Sequence, residues 1–442
     1  MDDTAWADFT ETCAGIHRSL AGCREGEVAG YIPQLAGADP DRFGVSVVSV
    51  DGRTFEVGDT QRRVCVQSCC KPLLYGVALT ECGEETVSKH VGKEPSGASF
   101  NDFKLDRHGR PFNPLINAGA IMSAALVRPR DTPDRRFQHI MAVWERIVGQ
   151  GEAFFDNATY LGERRTAFRN IALAHLMMES GAFPARTSIE DTLQLYLQAC
   201  SVAVQPRGVA TYAATLANGG VNPGGAGQER IFAPRIVRDV LCVMYSSGMY
   251  DYSGRWSSRI GLPAKSGVSG LVMVVMPNLC GLCIHSPRLD PMGNSVRGVR
   301  FMERLVQRYQ LHIFDTLVLG MGDDSTRKAL QRAGAADDPS DRMCRACAAG
   351  DLAELRRLLD RHDPPRPDYD RRMPLHVAVD DKSYACALEL ARRGAPLFAR
   401  DRWGKTPLGA APAAVRAALL AAARSFAARR SAWDVWRSFV PH

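Results

Sequence analysis

The sequence predicts an α+β domain, an antiparallel sheet with a helical subdomain, followed by an α-helical repeat module. Three observations carry this prediction. Strand-like hairpins stand at both ends of a helical middle, a proline-centred hexapeptide returns after 33 residues near the C-terminus, and the composition is that of a folded chain. Apolar residues make up 45% and charged residues 23% of the 442, values that exclude disorder as the main state. A chain of this length is expected to form two to four domains, each with its own core.

Residues 1–30 read as a short helical lead-in. Phe43–Val50 and Arg53–Val57 are strand-like runs across Asp51-Gly52, a strong short-range hairpin signal. Helical periodicity follows over 137–149, 166–181 and 188–200. A second hairpin, Gly270–Met276 with Gly281–His285, turns through Pro277-Asn278. Distant hairpins of this kind assemble into one sheet with the helices packed on it.

Beyond about residue 315 the pattern changes. Met373-Pro-Leu-His-Val-Ala378 recurs as Thr406-Pro-Leu-Gly-Ala-Ala411, and Asp368 and Asp401 each lie six residues before their proline. A 33-residue period with Thr-Pro-Leu-His-x-Ala is the ankyrin pattern, whose units bury their apolar faces only by stacking. Ala346–Leu355 looks like the end of an earlier repeat. The expected organisation is a helical segment 1–30, a catalytic domain 31–312, a linker 313–340, repeats 341–425 and a tail 426–442.

Charge and cysteine content exclude several classes. Residues 341–442 carry 19 Lys+Arg against 12 Asp+Glu, so the whole net charge of +7 belongs to that module. Its arginines are scattered, which reads as a solvated helical face and not as a nucleic-acid surface. The apolar run Leu271–Met276 ends at Pro277-Asn278, far short of the roughly 20 residues of a membrane span. The acidic start Met1-Asp2-Asp3 lacks the pattern of an export or transit peptide. With 13 cysteines, an odd number, a reduced compartment is expected, the cytoplasm first. The pairs Cys280/Cys283 and Cys344/Cys347 lack zinc-ribbon spacing, and the first pair falls in a strand where i and i+3 face opposite sides. No metal and no organic cofactor is implied.

The chemistry lies in Val66-Gln-Ser68-Cys-Cys-Lys71-Pro72-Leu73. Ser68 and Lys71 are i and i+3, on one face if helical, and Pro72 places Ser68 at or just before the first helical turn. Desolvation and local positive charge lower a lysine pKa from about 10.4, fitting Lys71 to take the serine proton and make Ser68 a nucleophile. The tetrapeptide alone is common. Far downstream, however, Lys265-Ser266-Gly267 precedes the late hairpin. S-x-x-K followed by K-[ST]-G is the pattern of penicillin-recognising serine hydrolases, which implies a β-lactamase-like catalytic domain.

Further motifs appear in order: Tyr31–Ala36, Gln67–Pro72, Val91–Gly97, Asn113–Ala120, Ala214–Gly220, Gly248–Gly254 and Gly261–Val268. Across about residues 31–310 the chain resembles the serine-dependent glutaminases. With the trailing repeats it resembles the kidney- and liver-type enzymes of animals. The resemblance implies a cofactor-free hydrolysis of L-glutamine to L-glutamate and ammonia, with Ser68 as nucleophile and Lys71 as base. It makes Tyr31 and Tyr250 cleft tyrosines, either of them the proton relay. Asn117, Glu163, Asn170, Tyr196, Tyr250 and the Val268 backbone become substrate contacts. It also implies homodimers pairing into tetramers, promoted by phosphate or another anion, and a protein partner for the repeats. Mitochondrial matrix is the alternative compartment if a transit peptide lies outside this numbering.

Several of these residues also read otherwise. Asn117 suits a helix cap, Glu163 beside Arg164 and Arg165 suits a surface ion pair, and Tyr196 suits a core. Glu163 and Asn170, seven apart, share a face if that stretch is one helix. In the loop Gly97–Leu105, Lys104 replaces an aromatic of the kidney-type enzymes beside Phe100 and Phe103. The rival functions are a β-lactamase-like hydrolase and an inactive ankyrin scaffold.

Overall fold

The strand Leu271–Met276 shows why the late hairpin reads as one continuous apolar run. Leu271, Met273 and Val275 face one buried core, while Val272, Val274 and Met276 face another. Both faces of the sheet are covered by helices, so neither set of alternating positions is polar. The computed structural model describes residues 3–97, 102–224, 229–309, 311–314, 339–360, 372–401 and 403–437. The chain divides into units Met1–Gly334 and Ala335–His442.

In chain order the first unit runs α1 (Asp3–Leu20), α2 (Pro33–Ala36), β1 (Gly44–Ser49), β2 (Thr54–Gly58), β3 (Val64–Cys65), a 3₁₀ turn at Gln67–Cys70 and α3 (Lys71–His90). The helical middle is α4 (Asn117–Leu126), α5 (Pro133–Val148), β4 (Phe154–Phe155), α6 (Asn157–Thr166), α7 (Phe168–Glu179), α8 (Ile189–Cys200), β5 (Val202–Val204) and α9 (Pro206–Ala217). It closes with α10 (Pro234–Ser247), α11 (Ser253–Arg259), β6 (Ala264–Gly267), β7 (Leu271–Met276), β8 (Cys280–His285) and α12 (Val296–Arg308).

Among the described residues the main sheet is antiparallel in the order β2-β1-β8-β7-β6. The two expected hairpins meet through β1 and β8, with Val47 opposite Leu282. Helix α9 lies on β8 backbone to backbone. A Cβ on Gly281 would fall 2.0 Å from the Ala214 nitrogen, so only glycine fits there. Helices α1 and α12 cover the other face and pack together, with Phe9 and Cys13 meeting Phe301 and Leu305 in the second core. Cys280 and Cys283 fall in different cores, on opposite faces of the sheet. A second, small sheet, β3-β5-β4, was not anticipated. It holds the segment just before Ser68.

The second unit contains α13 (Pro339–Ala349), α14 (Leu352–Leu359), α15 (Pro374–Asp380), α16 (Tyr384–Arg392), α17 (Pro407–Ala410) and α18 (Ala413–Arg437). Pro374 and Pro407 each open a helix, where a missing N–H is tolerated. His376 ties the turns together, accepting at Nδ1 from the Met373 N–H and lying 3.1 Å at Nε2 from the Ala399 carbonyl. Leu355, Leu375, Ala387 and Leu408 form one core across these helices. Helix α18 continues past residue 425. Asp368, Phe100 and the glycine-rich stretch 225–228 lie outside the described residues. Among the described residues no helix is long and apolar enough to cross a membrane.

Candidate active site

Ser68 sits in the 3₁₀ turn that runs directly into α3, and Pro72 occupies the first turn of that helix. Gln67 before it has φ 46°, a left-handed conformation costing a residue with a side chain about 1–3 kcal/mol. The turn is held from two sides and closed by a bond of its own. The Val66 N–H donates to Val202 of β5 at 2.8 Å, and the Cys69 N–H donates to Val66 at 2.9 Å. Cys69 Sγ lies 3.4 Å from the Lys265 carbonyl on β6. The strained peptide is thus fixed between the two sheets.

Lys71, the first residue of α3, is fully buried. Burial lowers its pKa, because the charged form loses its hydration. Its Nζ donates to Asn117 Oδ1 at 2.7 Å, and Tyr196 donates to the same oxygen at 3.3 Å. Asn117 Nδ2 in turn donates to Asn170 Oδ1 at 3.1 Å. Asn117 opens α4 yet caps nothing; Asn113 Oδ1 takes the Leu115 and Ile116 N–H groups instead. Tyr196 satisfies both of its readings, with its ring in the core and its hydroxyl in the site.

A cavity of about 320 Å³ opens beside this network, lined by Tyr31, Ser68, Asn117, Glu163, Asn170, Tyr196 and Val268 together with Gln67, Thr166, Ala167, Arg169 and Cys200. All the residues expected to contact substrate line it except Tyr250. Glu163 is buried and receives a 2.9 Å hydrogen bond from Tyr31, not an ion pair from Arg164 or Arg165. Desolvation raises the Glu163 pKa, and the Tyr31 bond opposes that rise. Tyr31 is 50% exposed, but its hydroxyl reaches inward and also donates to Gln67 Oε1 at 3.2 Å. Glu163 and Asn170 do not share one helix. The chain breaks at Ala167 between α6 and α7, and both residues meet the cavity from either side of that break.

Tyr250 does not line this cavity but hydrogen-bonds with Ser68. It lies in a 3₁₀ turn with φ 53°, a second strained position at the site. Burial raises its phenol pKa, and hydrogen bonding with Ser68 opposes the rise. Lys265 Nζ lies 4.2 Å from the centre of the Tyr250 ring and donates to the Gly248 and Ser266 carbonyls at 3.1 and 2.6 Å. Burial, then the nearby Lys71 charge, brings the Lys265 pKa down to about 7. Strand β6 is at the edge of the sheet.

Sequence reasoning missed Gln67, Thr166, Ala167, Arg169 and Cys200 as cavity residues. Gln67 had a signal, since it precedes the serine inside the motif, while the other four carry none. Arg169 stacks its guanidinium 4.8 Å from the Phe103 ring, and Lys104 Nζ lies 5.8 Å over Phe112.

The family model described as Glutaminase matches residues 26–314. The mouse liver isoform of glutaminase, described as mitochondrial, is 38% identical over 91% of this chain and 67% of its own length. A glutaminase of Nostoc sp. is 42% identical over 70% of this chain and 91% of its own. The crystal structure of Mglu in its native form is 37% identical, with a TM-score of 0.65 over 72% of this chain and 74% of that one.

Proposed function

Because the chain belongs to the glutaminase family and hydrolyses the side-chain amide of glutamine to glutamate and ammonia, we propose that it does so through an acyl-enzyme on Ser68. Lys71 takes the Ser68 proton as Oγ attacks the amide carbon. The Ser68 and Val268 N–H groups hold the tetrahedral oxyanion, a donor being worth about 10²–10³ in rate. The C–N bond breaks as a proton reaches the leaving nitrogen through Tyr250, and ammonia departs. Water then cleaves the glutamyl ester by the reverse roles. The observation that carries this reading is a lysine without solvent, held by Asn117 one turn from a serine on the cavity wall.

The substrate ends are assigned by charge. Glu163 pairs with the α-ammonium, Asn170 and Tyr196 with the α-carboxylate, and Asn117 with the amide. A buried carboxylate in the cavity favours a free amino acid over a β-lactam, so nitrocefin should not be turned over. Ser68→Ala should abolish ammonia release with the fold unchanged by circular dichroism. Lys71→Ala should cost nearly as much, and the double variant little more, because members of one catalytic unit do not add. Substantial ammonia from either single variant removes the dyad.

The second unit is read as ankyrin repeats offering a surface to a protein partner. The assembly is read as a homodimer that pairs into tetramers with phosphate or another anion. The compartment is read from the odd count of 13 cysteines as a reduced one: the cytoplasm first, with the mitochondrial designation of the mouse relative giving the matrix as alternative.

A further inference from the structure

Two thiols that the hydrolysis does not use lie against the site. Cys70, directly before Lys71, places its Sγ 3.7 Å from Cys200 Sγ at the end of α8. Both are buried, yet Cys200 lines the substrate cavity, so a small solute that reaches Ser68 also reaches Cys200. Cys69 is engaged with the Lys265 carbonyl instead.

We propose that Cys70 and Cys200 form an oxidation site, at which a hydroperoxide entering the cavity makes a reversible disulfide that switches off hydrolysis. The inhibitory half rests on the reading of Ser68 and Lys71 above. In the first step Cys200 sulfur attacks a peroxide oxygen. The O–O bond breaks, the leaving hydroxide takes the thiol proton as water, and Cys200 becomes a sulfenic acid. Cys70 sulfur then attacks that sulfur, the S–O bond breaks, and a second water leaves with the Cys70 proton. Two thiols are oxidised by two electrons, and hydrogen peroxide is reduced to two waters. The hydrogen bond with Cys70 and burial raise the Cys200 pKa, while Lys71 opposes them. The pair therefore responds to sustained peroxide, more slowly than an exposed thiolate.

The bond acts on the catalytic network from both ends. The sulfurs must close from 3.7 Å to about 2.05 Å. Cys200 is one helical turn beyond Tyr196, and Cys70 adjoins Lys71, so the closure pulls on the Tyr196–Asn117–Lys71 chain at its two outer members. A misplacement of about 1 Å can cost about 100-fold in rate. A loss of at least about tenfold is expected here.

The test treats reduced full-length protein with hydrogen peroxide, alkylates the remaining thiols and maps the peptides, with glutamine hydrolysis measured before and after dithiothreitol. The expected result is a Cys70–Cys200 linked peptide pair, two hydrogens lighter, that accumulates in step with the lost activity. Dithiothreitol removes both effects, and bound glutamate slows both. Lost activity without that linkage, linkage without lost activity, or linkage of either cysteine elsewhere overturns the proposal. So does a Cys70→Ala protein that, relative to its own untreated sample, is inactivated as fast and as reversibly as the wild type. Reduced protein that hydrolyses no glutamine counts against the functional reading alone, since the linked peptide still decides the thiol pairing.

Discussion

Glu163 is a carboxylate kept from water and tied to Tyr31, and its pKa stands above the ordinary glutamate value because of burial. Only the ionised form attracts an ammonium group. As pH falls through this raised pKa, KM for glutamine should rise, beginning above the usual value of about 4.3. A charge-assisted hydrogen bond contributes about 1.5–3 kcal/mol, so Glu163→Gln should raise KM about 10- to 100-fold and flatten the dependence. An unchanged slope in initial-rate kinetics would refute the ammonium role. Ser68 and Lys71 were legible in the sequence because their relation is local, three residues on one turn. The break at Ala167 was not, since Glu163 and Asn170 fit a single helix equally well by spacing. The Asn117 bond to Lys71 joins residues 46 apart, a relation that no single-sequence periodicity carries.

At the level of the element, β6 carries a buried amine at the sheet edge. The Lys265 pKa falls to about 7 when folded, from about 10.4 when unfolded. Between these values the unfolded chain binds more protons, so this residue's contribution to stability rises with pH. It is fully present above the unfolded value and lost as pH falls to about 7. The melting-temperature difference, wild type minus Lys265→Met, should therefore become more positive from pH 7 to 10. A flat or falling difference would show that Lys265 stays charged inside the fold. The hairpins of the main sheet were legible because β1, β7 and β8 are six residues each with turn signals between them. The small sheet was hidden, because β3 and β4 are two residues long, too short for alternation to register.

The whole molecule joins an α+β unit to a helical one, and the 33-residue recurrence made the second legible. Deleting 341–442 should preserve most hydrolysis per folded molecule, since units of a solenoid, as the second unit is proposed to be, contact mainly their neighbours. Total loss in a folded, normally assembled truncation would contradict this. Lys104 is exposed on the loop Gly97–Leu105, which the resemblance implies lies between the active site and the second interface; if that loop meets the same loop of another subunit, like charges brought together repel. Sedimentation should show a dimer without phosphate, larger species with it, and tighter association in Lys104→Phe; a tight tetramer without anion, or no gain in the variant, would refute that role for the loop. The buried Glu163 has a wider consequence. Glutamine inside a polypeptide has an uncharged amide where the free amino acid carries its ammonium, and it would leave that carboxylate in the dark without a counter-ion. On the pairing of Glu163 with the α-ammonium proposed above, proteins would be spared and the enzyme would draw only on the free metabolite. Nitrogen would then leave as ammonia at a pace set by the dissolved pool and not by how much glutamine the cell has locked into protein.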